Sequence, residues 1–425
     1  MRTIVERARD RELDRPIRTV AEAEQINPEV MAGCVAEGSI VIMSRGKRFV
    51  GIGKGLTTKV NVNIGTSPQK IDMEEEVEKA RIAEKFGADT ITDLSMGGDI
   101  PGIRRKIMEN TTLPITTVPL YQTVASLGLE NVDEKQILRT IRTQAKEGVN
   151  SFVLHCTSLE TLDRLKKSRR IMGVVSKGGS LTIAYMLLHR SENPFLENFS
   201  EILKIMKKYD IILSLGNTMR SGCIHDTRDR AQRREMKQNI GLAHQVHDEG
   251  VQVIVEGVGG HVRADNIPRY IHSYKRSSNF PLFVAGPLPT DIAPGYDHIA
   301  GCVGGALASG AGADYLCYLT PAEHLGLPDA EQVKEGLIAF KIAAHIGDSI
   351  KYGPHDRDRD LAKKRADLDW EGQFLHALDG EKARRMAPQE GPCTMCGAFC
   401  AMQMMKNLPN MIRDLPKDRE SPGQS

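Results

Sequence analysis

The sequence predicts a parallel (β/α)8 barrel followed by a C-terminal helical extension and a Cys-bearing tail. Three observations lead there. A charged amphipathic segment that ends at a Gly and runs straight into a short apolar stretch occurs four times, at 83–94, 144–155, 246–256 and 308–319. Polar residues gather where the apolar stretches end. The length of 425 residues suits one large barrel with an appendage, because such barrels run to about 250 residues before insertions.

Taken in order, residues 1–45 read as a short helical lead-in ending in GSIVIM, with no sign of an independent fold. The barrel is expected over 46–328. In each repeat the Gly (Gly87, Gly148, Gly250, Gly312) can take the left-handed conformation that ends a helix, and the run after it is strand-length and rich in β-branched residues. Further strands are expected at 114–118, 171–175, 210–215 and 281–285. About eight strands alternating with helices make a parallel sheet, closed as a barrel or, as the alternative, open and doubly wound. Residues 329–388 carry two strongly periodic helical runs. Residues 389–425 change character, with a Cys cluster, the Met-rich AMQMMK and a polar end, and read as a tethered arm.

Composition narrows the function. Lys and Arg number 57 against 55 Asp and Glu, a net charge of +2. Nucleic-acid binding needs clustered excess cations and is not expected. No run approaches the roughly 20 apolar residues that span a bilayer, and the start, MRTIVERARDRELDRP, lacks the apolar core of a signal peptide. A cytoplasmic protein without a membrane segment is expected, and its eight Cys should be thiols or metal ligands.

In a parallel barrel the strand ends converge on one face, where such enzymes hold substrates. Asp93, Tyr121, His155, Ser176, Asn217, Arg220, Glu256 and the TDIAPG loop all stand at such ends. The SKGGS run offers Ser176, Lys177 and Gly178 at the start of a helix, either as a phosphate cradle or as an ordinary turn. Asn61 and Asn63 in NVNIGTS offer amides to a heterocycle edge, or simply form a turn. Glu256 could serve as acid, base or hydroxyl anchor. His261 and His324, if on adjacent strands, would suit a zinc or iron with open positions; each alone is as well read as a buried histidine. The sharpest motif is Cys393-x-x-Cys396-x-x-x-Cys400. Three thiolates at this spacing can hold three corners of an iron–sulfur cube and leave the fourth iron open, or bind zinc with a remote fourth ligand.

Across nearly the whole chain these motifs stand in a familiar order. NVNIGTS, DLSMGGDI, PLYQ, SKGGS, RSGCIHD, GPLPTDIAPGYDHI, TPAEHLGLP, KIAAH and CTMCGAFC resemble the phosphomethylpyrimidine synthase family of thiamin biosynthesis, a noncanonical radical S-adenosylmethionine group. The resemblance implies a barrel homodimer, a 4Fe-4S cluster on the three Cys, S-adenosylmethionine on its open iron, and 5-aminoimidazole ribotide as substrate. It further implies a flavodoxin or ferredoxin as electron donor, and a second metal, zinc or iron, on His261 and His324. Substrate contacts then fall on Asn63, Thr92, Tyr121, His155, Ser176, Lys177, Gly178, Asn217, Arg220, Glu256 and Phe283, with Glu256 the catalytic candidate.

Several of these positions depart from the family pattern. Asn217 replaces Asp, Thr218 replaces Gly, Lys177 replaces Arg, Thr92 replaces Met and Phe283 replaces Tyr, while an extra residue precedes His261. Such edits point to the paralogous 5-hydroxybenzimidazole synthase, which sends the same ribotide to the lower ligand of cobalamin. The alternative product is 4-amino-5-hydroxymethyl-2-methylpyrimidine phosphate. A noncatalytic metal-binding or regulatory barrel is the reading from another class, and the joint survival of the pocket residues and all three cluster Cys argues against it.

Overall fold

The computed structural model describes residues 2–388, 390–406 and 408–413, and it divides into two compact units, Met1–Tyr352 and Gly353–Ser425. The first unit opens with three short helices, Ile4–Arg9, Arg15–Ala23 and Pro28–Ala36. Thr3, Asp14 and Asn27 cap them by accepting backbone N–H groups. Their apolar faces (Ile4, Ile17, Val20, Met31 and Val35) share a buried cluster with Ile40, Ile42 and Leu56. The lead-in is therefore a packed layer and fuller than the sequence suggested.

An antiparallel hairpin follows, β1 (Ile40–Arg45) and β2 (Arg48–Gly53). Eight parallel strands then close into a barrel: β3 (Lys59–Ile64), β4 (Thr90–Asp93), β5 (Ile115–Thr117), β6 (Ser151–Leu154), β7 (Ile212–Leu215), β8 (Val253–Glu256), β9 (Leu282–Ala285) and β10 (Tyr315–Cys317). β10 pairs with β3 to complete the ring. The expected barrel is present, with one strand misplaced by the sequence reading. Residues 171–175 form a loop rather than a strand, because Gly173 interrupts the run and Ile171 is 73% exposed. The eighth strand is β3, whose V-N-V-N alternation had been read only as a source of amides.

The four helix-to-strand joints form as expected, with Gly87, Gly148, Gly250 and Gly312 at φ +83°, +89°, +81° and +112°. Only glycine adopts such angles without a Cβ clash.

Period-2 alternation along each strand decides what faces the barrel axis. Val60, Val62, Ile91, Phe152, Leu213, Val255, Leu282 and Leu316 point outward into the large core shared with the helices. Their neighbours, Asn61, Asn63, Thr92, Val153, Ser214, Glu256, Phe283 and Cys317, belong to the inward set. The hairpin closes the lower end: Val41, Met43, Val50 and Ile52 pack with Ile212, Ile254, Phe283 and Tyr315. The same hairpin is tied to the barrel by Gln252, which accepts from Ile42 N at 2.7 Å and donates to Ile42 O at 3.2 Å.

Helix Ala330–Tyr352 completes the first unit. The second unit holds helices Asp356–Ala366, Trp370–His376 and Gly380–Met386, then the Cys motif and two short helices. The single amphipathic run expected at 357–379 breaks at Leu368, which has φ +57°. No described helix is long and apolar enough to cross a membrane.

Candidate active site

A cavity of about 540 Å³ opens at the C-terminal ends of the strands. Asn63, Thr92, Tyr121, His155, Ser176, Asn217, Arg220, Glu256, Phe283, His261 and His324 all line it. Residues spread over some 260 positions of sequence thus meet in one place. Lys177 and Gly178 stand behind the lining residues rather than among them: Lys177 Nζ lies 4.9 Å from the centre of the Tyr121 ring, and Gly178 abuts the His155 ring.

One wall is built from strand ends and a helix start. Ser176 caps helix Lys177–His189, its Oγ accepting from Gly179 N at 3.1 Å and lying 2.9 Å from His155 Nε2. The His155 ring fits between two glycines. A Cβ at Gly178 would fall 2.4 Å from its Cε1, and one at Gly216 2.8 Å from its Cδ2. Burial, with the Arg220 charge adding to it, pushes the His155 pKa down to about 3 and leaves a neutral imidazole. Burial also lowers the Lys177 pKa.

The loop after β7 carries the polar edge. Glu256 accepts from Ser214 Oγ at 2.9 Å and from Asn217 N at 3.4 Å, and burial raises its pKa. A buried carboxyl at the cavity edge is a candidate to take or give a proton. Glu235, from helix Arg230–Asp248, accepts the N–H groups of Thr218 and Met219 at 3.0 and 2.8 Å. Burial raises its pKa to about 7 in spite of those bonds. The Arg220 guanidinium makes no hydrogen bond or ion pair among the described residues, so its donors are available to a ligand.

On β3, Asn61 Nδ2 donates to Asn63 Oδ1 at 2.8 Å, and Thr92 Oγ1 donates to Asn61 Oδ1 at 2.9 Å. Asn63 Nδ2 reaches Cys317 Sγ at 3.0 Å. Asn61 is thus a spacer that fixes the two cavity residues beside it. Phe283 stacks on Tyr315 with centroids 4.1 Å apart.

His261 and His324 face each other across 3.4 Å between their Nε2 atoms. They do not come from adjacent strands, as the sequence reading supposed; they follow β8 and β10, with β9 between. Each Nδ1 is held by a carboxylate, Asp291 at 2.6 Å for His261 and Asp297 at 3.1 Å for His324. That is how metal-ligating imidazoles are oriented, with Nε2 left to the ion. Among the described residues no third His, Cys, Asp or Glu joins the pair as a metal group. The pair fits an ion whose remaining ligands come from solvent or substrate. Asp291, Asp297, Glu235 and Ser214 were missed as individual residues in the sequence. Asp291 and Asp297 both lay in a segment singled out there, GPLPTDIAPGYDHI.

In the second unit, backbone turns curl the Cys motif. Gly397 N bonds Cys393 O at 3.1 Å, Phe399 N bonds Cys396 O at 3.0 Å and Cys400 N bonds Gly397 O at 3.2 Å. All three Cys are free thiols. Their spacing suits three corners of a cube, while among the described residues the three thiols are not gathered into a metal-holding group in this structure.

Residues 3–407 match the model of the Radical SAM ThiC family. The phosphomethylpyrimidine synthase of Methanocaldococcus jannaschii is 45% identical over 92% of this chain and 96% of its own length. That of Methanopyrus kandleri is 42% identical over 95% and 98%, and that of Thermoanaerobacter sp. strain X514 is 46% identical over 92% and 94%.

Proposed function

The chain belongs to the Radical SAM ThiC family, and from that premise we propose that it converts 5-aminoimidazole ribotide to 4-amino-5-hydroxymethyl-2-methylpyrimidine phosphate. The family carries a 4Fe-4S cluster and uses S-adenosylmethionine. The product follows the name borne by the relatives, so the benzimidazole expected from the sequence gives way to the pyrimidine phosphate as the first reading.

The observation that carries the substrate assignment is that Ser176, at a helix start, and Arg220, whose guanidinium has no hydrogen bond or ion pair among the described residues, line the same cavity. Together these suit a phosphate or ribose edge. In this reading Asn63, Thr92, Tyr121, Asn217 and Phe283 frame the heterocycle, His155 holds Ser176 in place, and Glu256 moves protons. Cys393, Cys396 and Cys400 hold the cluster. When bound, the cluster supplies the electron that cleaves S-adenosylmethionine and begins radical chemistry. His261 and His324 hold zinc or iron, oriented by Asp291 and Asp297. A flavodoxin or ferredoxin as reductant, and a homodimer, belong to the same proposal.

The second reading, 5-hydroxybenzimidazole, is favoured by one observation. Asn217 puts a neutral amide at the cavity edge where the pyrimidine synthase pattern has an acid, leaving Glu256 to handle protons there.

Anaerobic incubation with ribotide, S-adenosylmethionine and reductant, followed by liquid chromatography and mass spectrometry, separates the two. Pyrimidine phosphate is expected; benzimidazole as main product establishes the second reading, and neither product overturns both. Cys396→Ala should lose the iron, about four atoms per chain, together with deoxyadenosine formation.

A further inference from the structure

A second cavity, of about 440 Å³, lies on the flank of the barrel between helix Arg230–Asp248 and helix Ile267–Ser277. We propose that it binds an organic phosphate the size of a mononucleotide, and that this ligand shares Arg220 with the active site.

Helical spacing builds the walls. Arg233, Met236, Lys237 and Ile240 recur at three and four residues along one helix, and Tyr270, Ser273, Tyr274 and Ser277 along the other, so each set forms one face.

The charge is one-sided. Arg220, Arg228, Arg233 and Lys237 line the cavity, and no carboxylate does. None of these four cations forms an ion pair among the described residues. The nearby acids are engaged elsewhere: Asp229 pairs with Arg170 at 2.7 Å, Asp226 accepts from Ile171 N and Met172 N, and Glu235 holds the loop after β7. Arg220 also feels the Glu256 and Glu323 carboxyls of the barrel cavity, whereas Arg228, Arg233 and Lys237 gather without a counterion; like charges repel, and a dianion relieves them. The Arg228 guanidinium is already aimed, donating to Ser273 Oγ at 2.9 Å and lying 4.6 Å over the Tyr270 ring.

Met236, Ile240, Val258, Val262 and Tyr270 supply an apolar part of the lining, and Asn217, Thr227, Gln232, Ser273 and Ser277 a neutral polar part. A volume of this order fits a small organic ligand and exceeds what inorganic phosphate fills. The backbone at the cavity is strained. Arg228 and Val258 sit at φ +53° and +56°, costly for any residue with a Cβ and most of all for a β-branched one. A Cβ at Gly257 would fall 2.1 Å from Met236 Cε, so this turn is pressed directly against the cavity wall.

Asn217 and Arg220 line both cavities. A phosphate in the flank draws on the guanidinium that we assign to the ribotide, so its occupancy should weaken substrate binding. This coupling rests on the proposed function; the binding itself does not.

The test titrates adenosine 5′-monophosphate calorimetrically into the full chain. The wild type should bind it, and Arg233→Glu/Lys237→Glu, two exposed positions, should weaken binding at least about tenfold. Met236→Trp, which fills the cavity without changing charge, should weaken it likewise. Without the nucleotide, ribotide turnover by the double variant should match the wild type; with it, the ribotide KM should rise in the wild type alone. No binding to the wild type at millimolar concentration, or equal binding to either variant, overturns the site. Binding lost in both variants but without effect on the KM retains the site and removes the coupling. Absence of ribotide turnover in every protein counts against the proposed function and leaves the calorimetric result standing.

Discussion

The Nε2 atom of His155 lies 2.9 Å from the Oγ atom of Ser176, the residue that caps helix Lys177–His189. One side chain at the end of β6 thus sets the start of a helix on the neighbouring wall of the cavity. The imidazole stays neutral here, with its pKa at about 3 against about 6.5 when unfolded. The stability this contributes is fully present above pH 6.5 and is lost as the pH falls toward 3. Denaturant unfolding at pH 7, 6 and 5 should therefore show wild type losing stability relative to His155→Gln, at up to about 1.4 kcal/mol per pH unit. Parallel profiles would show that His155 titrates alike in the folded and unfolded chain, its pKa not depressed by burial.

Glu235 should behave in the opposite sense. Its pKa is raised to about 7 by burial, so the stability tied to its protonated form is greatest below the unfolded value and is lost as the pH rises through 7. Relative to Glu235→Gln, wild type should weaken between pH 5 and 8. Because Gln cannot accept both the Thr218 and Met219 N–H groups as a carboxylate does, the variant should also raise the ribotide KM several-fold through a displaced Arg220.

Gly178→Ala should cost about 1–3 kcal/mol, although Ala favours helices. Its Cβ would meet the His155 ring at 2.4 Å, and Gly216 blocks the ring's retreat from the other face. Gly173→Ala, with nothing within 4 Å, should be close to neutral in the same thermal melts.

Asp291→Asn should lower zinc affinity at the two histidines by about 10- to 100-fold, measured in competition with a chromophoric chelator on protein lacking the iron–sulfur cluster. Asn offers Nδ1 of His261 a weaker acceptor than the carboxylate now 2.6 Å away. Unchanged affinity would place the metal away from His261.

The barrel was legible because its joints are local. A charged helix, a glycine such as Gly148 and a run such as SFVL need only a dozen neighbouring residues to declare themselves. β3 was harder because Asn61 and Asn63 turn their polar face inward, where a sequence pattern anticipates water rather than a lined cavity. Residues 171–175 erred the other way, being apolar yet bounding a half-open loop. His155 and Arg220 could be found from their positions at strand ends. Asp291, Asp297 and Glu235 could not be assigned partners, since each acts on a residue at least 16 positions away that only the closed barrel brings near. The His pair shows the same limit: the sequence placed the two histidines on adjacent strands although it also expected the strand at 281–285 between them, and only the closed barrel shows that their loops meet across it.

The hairpin of β1 and β2 makes the barrel a vessel closed at its base. Val41, Met43, Val50 and Ile52 stopper its base with aliphatic side chains, and Phe283 and Cys317 continue that stopper up to the reacting space. Whatever goes in at the strand ends must come out there too, so spent fragments block the next substrate until they leave. Water has no rear access either. A short-lived reactive species formed near Glu256 would find Ser214, Asn61 and Cys317 and then the aliphatic base below it, and the fold itself thereby shields chemistry that solvent would quench.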